Sequence, residues 1–151
     1  MNILGIRCSN KDFSYAVMSG TKKAPKIVAL ETLVYPKNYT RSRSLLWFTL
    51  EVEQWIKKYN VQSVVMKRFE GRSRGGSFED RVEYEAAVYL ACARCGLTTA
   101  CKKVRSTIAK DLGLKGRAHY LATLNTSVIP AFSNYTDKEQ EAILCAWSDL
   151  K

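Results

Sequence analysis

Ile3-Leu4-Gly5-Ile6-Arg7 and Val64-Val65-Met66-Lys67 are two short apolar runs that each end in a cation. The first lies within a run of β-formers from Asn2 to Cys8. After the polar turn Ser9-Asn10-Lys11-Asp12 comes a second such run, Phe13 to Met18, so the pair predicts a hairpin. Gly20 to Lys26 makes a basic turn, and Ile27 to Val34, stopped by Pro36, supplies a third strand. The second quoted run belongs to a fourth strand, Val61 to Met66. Its unbroken apolar centre is that of a buried, parallel strand rather than an alternating one.

Helices are legible between and beyond these strands. From Arg43 to Tyr59 the residues Leu45, Phe48, Val52, Trp55, Ile56 and Tyr59 recur at spacings of three and four. This predicts an amphipathic helix, with Thr40 and Ser42 as candidate caps and Asn60 closing it. After Lys67 comes a glycine-rich loop, Gly71-Arg72-Ser73-Arg74-Gly75-Gly76. Ser77 with Asp80 then resembles a capping box at the start of a second helix. Phe78, Val82, Ala86, Tyr89, Leu90 and Ala93 mark the face of that helix expected to pack on the sheet, and Gly96 ends it in a left-handed conformation. Leu97 to Cys101 reads as a fifth strand and Lys103 to Leu112 as a short basic helix. A further helix is predicted at 117–124, a loop around Pro130, and a last helix from Asp137 to Leu150.

A chain of 151 residues with 46% hydrophobic content supports one domain, 1–151, with a substantial core. No apolar run approaches the roughly 20 residues of a membrane span, and the start lacks the features of a secretory signal. A cytoplasmic protein without a membrane role is expected. Five scattered cysteines, an odd number, fit reduced thiols better than a disulfide framework. The 24 Lys+Arg against 14 Asp+Glu give a formal charge of +10. The excess gathers at Lys67, Arg68, Arg72 and Arg74, and again between Arg94 and Arg117, where Asp111 is the lone acid. Such a field selects polyanions: nucleic acid first, with anionic lipid or an acidic protein behind it.

The order strand, strand, strand, helix, strand, helix, strand, helices resembles the ribonuclease H-like fold, and within it the branch of RuvC-type Holliday-junction resolvases. The resemblance implies an α/β domain, a five-stranded mixed sheet with three antiparallel N-terminal strands and flanking helices. It also implies a metal-dependent nuclease site, and there the chain departs from the pattern. The first strand of that superfamily typically ends Gly-Ile-Asp, where this chain has Gly5-Ile6-Arg7. The fourth typically ends in an apolar pair, a glutamate and then an aromatic. Here Val65-Met66-Lys67-Arg68-Phe69 puts a lysine in the acidic slot. The final helix typically carries an acid-x-x-Asp-Ala element, matched at its end by Glu141-Ala142, with Asp137 and Lys138 upstream. Val64 to Lys67, the glycine-rich loop and Glu85-Ala86-Ala87 also resemble an uncharacterised bacterial family of the same fold, from which no function transfers.

Two-metal phosphodiester cleavage needs several hard carboxylate oxygens around Mg²⁺ or Mn²⁺. Arg7 and Lys67 remove two ligands and add repulsion of roughly 4 kcal/mol for charges about 4 Å apart at an effective dielectric of about 20. The same cations suit direct phosphate binding without a cofactor. The leading expectation is therefore a catalytically degenerate domain that binds nucleic acid, or serves a nucleoprotein assembly with a protein partner. Arg7, Lys67, Arg68, Arg72, Arg74, Lys102, Lys103 and Arg105 are its contacts. In a plainer reading Arg7 and Lys67 form structural salt bridges with Glu141 or Glu70. Two rivals stand beside these. One is a nuclease with displaced carboxylates, Glu70, Glu85, Asp137 and Glu141, holding Mg²⁺ or Mn²⁺. The other is a basic protein-interaction module.

The remaining constellations are weaker. The loop from Gly71 to Ser77 suits anion capture but lacks the Gly-Lys-Ser/Thr ending of a nucleotide-binding loop. Cys92-Ala93-Arg94-Cys95 has metal-ligand spacing, but its place inside a helix reads as packing rather than zinc. His119, the single histidine, sits in no nucleophile pattern and reads as a surface or capping residue.

Overall fold

The computed structural model describes residues 1–71, 76–114 and 123–151. Arg72, Arg74, His119, the loop around them and most of the helix expected at 117–124 lie outside the described residues. So does the side chain of Ser77 and with it the expected capping box. Five strands form one mixed sheet: β1 (Asn2–Cys8), β2 (Asp12–Gly20), β3 (Pro25–Val34), β4 (Val61–Lys67) and β5 (Ala100–Lys103). Their order across the sheet is β3-β2-β1-β4-β5. The β1–β2 and β2–β3 pairs are antiparallel, and β1–β4 and β4–β5 are parallel. Helices α1 (Arg41–Lys58) and α2 (Gly76–Arg94) follow β3 and β4, α3 (Arg105–Asp111) follows β5, and α4 (Asp137–Ser148) closes the chain. No described helix is long and apolar enough to cross a membrane.

The alternation of side chains along each strand divides the core in two. Leu4, Ile6, Phe13, Val17, Val64 and Met66 meet α1 and α2. Ile3, Ala16, Met18 and Val65 meet α4. On the first side Phe13 is ringed by Tyr35, Trp47, Phe48 and Trp55, with centroids 4.8 to 6.1 Å away. Each such fully buried apolar side chain contributes about 1.5–3 kcal/mol, so both layers anchor the sheet firmly.

Local signals match the helix ends. Thr40 caps α1, its side chain accepting from the Arg43 N–H at 3.4 Å, and Asn60 takes a positive φ of 47° where the chain turns into β4. Thr136 and Glu139 form a reciprocal capping box at the start of α4. Gly96, at φ 73°, closes α2 with the Leu97 N–H donating to the Cys92 carbonyl at 2.9 Å and the Gly96 N–H to that of Ala93 at 3.0 Å.

That closing motif corrects one expectation: with Leu97 folded back onto α2, β5 runs from Ala100 to Lys103 rather than Leu97 to Cys101. The basic helix after it begins at Arg105 and ends at Asp111. A second correction concerns the face of α2. Phe78, Val82, Ala86, Tyr89, Leu90 and Ala93 point to solvent, Leu90 being 55% exposed. The buried face is Arg81, Tyr84, Glu85, Ala87, Val88, Ala91 and Cys92. Both stripes have helical spacing, and the one that packs carries an internal ion pair, Arg81 Nε to Glu85 at 3.0 Å, which makes the two charges tolerable inside.

Candidate functional site

The site begins with a glycine. On β1, Gly5 faces α4 so closely that a Cβ there would lie 2.0 Å from the Ala142 carbonyl oxygen and 2.7 Å from the Ala146 nitrogen. Only glycine lets the helix backbone rest on the strand. Glu141, adjacent to Ala142, is thereby brought over the end of β1. The parallel register pairs Gly5 with Val65 and Ile6 with Met66, so Arg7 and Lys67 emerge side by side one residue later. By strand alternation both share the α4 face with Ile3, Gly5 and Val65.

Each cation has a carboxylate partner. Arg7 Nε donates to Glu141 Oε2 at 2.9 Å, and another guanidinium nitrogen donates to the Cys8 carbonyl at 2.6 Å. Arg105 reaches the other Glu141 oxygen at 3.3 Å. Lys67, buried with only 4% exposure, donates to the Arg68 carbonyl at 2.7 Å and to the Glu70 carboxylate. The same Glu70 oxygen accepts the Arg105 backbone N–H at 3.0 Å. Burial disfavours the charged form of Glu141. The Arg7 hydrogen bond, with the charges of Lys67 and Arg7 and the Arg105 bond, outweighs it and holds the carboxyl below its ordinary 4.5.

Together these groups line a concave cavity of about 320 Å³, walled by Arg7, Lys67, Arg68, Glu70, Arg105 and Glu141, with Phe69, Gly71 and Arg81 completing it. Arg81 is a cavity-lining residue that the sequence reading does not single out. It is 5% exposed, donates to the Lys67 carbonyl at 2.7 Å and lies 5.1 Å over the Phe69 ring, fixing the end of β4 and the cavity wall. Its i, i+4 spacing with Glu85 was the available signal.

Of the cations expected to meet phosphate, the structure therefore gathers Arg7, Lys67, Arg68 and Arg105. Lys102 and Lys103, neighbours in sequence, leave β5 on opposite faces. Lys102 pairs with Glu85 at 2.8 Å on the α2 side. Lys103 is buried between Asp111 at 2.8 Å and Asp149 at 3.0 Å, with Ser148 at 3.2 Å. Burial opposes its charge, but the two carboxylates raise its affinity for the proton.

The displaced-carboxylate set is not brought together. Glu141 and Glu70 are in the cavity but bonded to cations, Glu85 is held by Arg81 and Lys102, and Asp137 is exposed in the first turn of α4. Among the described residues no group of three or more His, Cys, Asp or Glu is placed to hold a metal ion. This donor set does not fit Mg²⁺ or Mn²⁺: the cavity lining holds two carboxylates, Glu70 and Glu141, fewer than the several hard oxygens such an ion takes, and each is bonded to cations that would repel it. Cys92 lies on the buried face of α2, where burial pushes its thiol up to about 11.

No family model matches the sequence, and no curated protein matches it. Solved structures do match in shape. The Thermus thermophilus RuvC structure superposes with a TM-score of 0.81 at 12% identity, over 98% of this chain and 92% of that one. T. thermophilus RuvC in complex with Holliday junction substrate gives 0.73 at 10% identity, over 98% and 91%. The yeast mitochondrial Holliday junction resolvase Ydc2 gives 0.64 at 16% identity, over 97% and 76%. The order of strands, the antiparallel trio at the start and the flanking helices thus make the ribonuclease H-like fold, in the shape seen in the RuvC structure.

Proposed function

We propose that this protein binds nucleic acid through its phosphates at the ends of β1 and β4 without cutting it, as a catalytically degenerate ribonuclease H-like domain within a nucleoprotein assembly. The observation that carries this reading is the pair Arg7 and Lys67, side by side at two parallel strand ends and lining one cavity with Arg68 and Arg105. Charge-assisted hydrogen bonds from guanidinium and ammonium to phosphate oxygens are about twice as strong as neutral ones, and here they need no bridging ion. The formal charge of +10 adds long-range attraction. The shape likeness to RuvC, solved in complex with a Holliday junction substrate, supports a nucleic-acid partner. Five free cysteines, three of them buried, suit the reducing cytoplasm in which we place the protein.

The experiment is incubation with single-stranded, duplex and branched DNA and RNA in Mg²⁺ or Mn²⁺, scored for both retention and strand scission. Retention with intact strands is the expected result. Scission that needs the metal and disappears in Glu141→Gln would replace this reading with the nuclease one.

A further inference from the structure

Resting on the nucleic-acid reading, we infer that the cavity at the strand ends takes a terminal phosphate of a strand, a phosphomonoester dianion, in preference to the phosphodiesters along its length. Shape is the first reason. At about 320 Å³ the cavity sits at the low end of the roughly 300–1,000 Å³ range of small-ligand pockets, a volume suited to one phosphate group rather than to a length of backbone. An internal phosphodiester is tethered on two sides and meets only its mouth. A terminal phosphate, tethered on one side, presents three free oxygens to the walls.

Charge is the second. Five lining side chains are cationic and two anionic. Glu85, behind the wall, is shared between Arg81 at 3.0 Å and Lys102 at 2.8 Å, so among the described residues the excess stays at about three positive charges. A monoester carries about −1.5 to −2 at neutral pH, against a single charge on each diester, so the monoester neutralises more of the excess. Donor placement is the third. Arg68 is exposed at the cavity edge and its guanidinium has no acidic partner among the described residues. Glu70, half-exposed, occupies Lys67 and the Arg105 backbone N–H from the protein's own side and is the carboxylate an entering phosphate displaces.

The test uses short fluorescent strands of one sequence, in DNA and RNA versions, ending in a hydroxyl, a phosphate or a methyl-capped phosphate, titrated by anisotropy. The phosphate end should bind about tenfold tighter than the other two, the contribution of one charge-assisted hydrogen bond. Arg68→Ala should remove most of that preference and Glu70→Gln should increase it, circular dichroism confirming that both variants are folded. Equal affinity for all three ends, or a preference untouched by Arg68→Ala, would overturn the inference while leaving phosphate contact intact. A nucleoside monophosphate that competes as well as the strand would also overturn it, in favour of a free nucleotide. Failure of every strand to bind at low salt would bring down the nucleic-acid reading itself.

Discussion

Gly5→Ala should destabilise the protein by about 3 kcal/mol or more, the upper end of what overpacking costs. The obstacle is backbone, not a side chain that can rotate away: the added methyl would sit 2.0 Å from the Ala142 carbonyl oxygen and 2.7 Å from the Ala146 nitrogen. Helix α4 must therefore lift from β1. Ala142 and Ala146 are completely buried, so the lift opens the packing around Ile3, Val65 and Ile143 as well. It also draws Glu141 from Arg7, leaving a half-buried guanidinium without its carboxylate. Urea unfolding of the two proteins measures the difference. A loss below about 1 kcal/mol would mean that the close approach of α4 to β1 is not what holds the site together.

Affinity for nucleic acid should fall with salt. Arg7, Lys67, Arg68 and Arg105 line one cavity and so meet one or two phosphates, which predicts a slope of log affinity against log salt of about −1 to −2 for duplex DNA, a loss of roughly 4- to 12-fold between 50 and 200 mM. Arg68→Glu should weaken binding about tenfold and flatten the slope by about one, because it removes one contact without touching an internal ion pair. The partners of Arg7 and Lys67 are carboxylates of the protein itself, so these two cations respond less to salt than an exposed arginine does. A flat salt dependence, or no binding at low salt, would point instead to an acidic protein partner for the same basic face.

Much of the fold is legible in the sequence. Gly5-Ile6-Arg7 and Val65-Met66-Lys67 announced two strands ending in cations, and the structure sets them in adjacent parallel strands. The sequence also left open whether those cations face a ligand or an internal carboxylate. They have the carboxylates, Glu141 and Glu70, and line a cavity as well. What escaped was side-chain direction. Lys102 and Lys103 look like one patch in a sequence, yet the period of two in a strand sends them to opposite faces. The inner face of α2 escapes the periodicity because its stripe contains Arg81 and Glu85. Hydrophobic periodicity ranks the stripe of Phe78, Val82 and Leu90 above it, since it cannot foresee that a buried arginine bonds a glutamate and a strand-end carbonyl.

A phosphate site at the ends of β1 and β4, as proposed, leaves no place there for a metal ion. Titration of the protein with Mn²⁺, followed by the loss of the free ion's paramagnetic resonance signal, distinguishes the two. No stoichiometric binding is expected at millimolar Mn²⁺. One equivalent of bound ion, released by Glu141→Gln, would contradict the proposal.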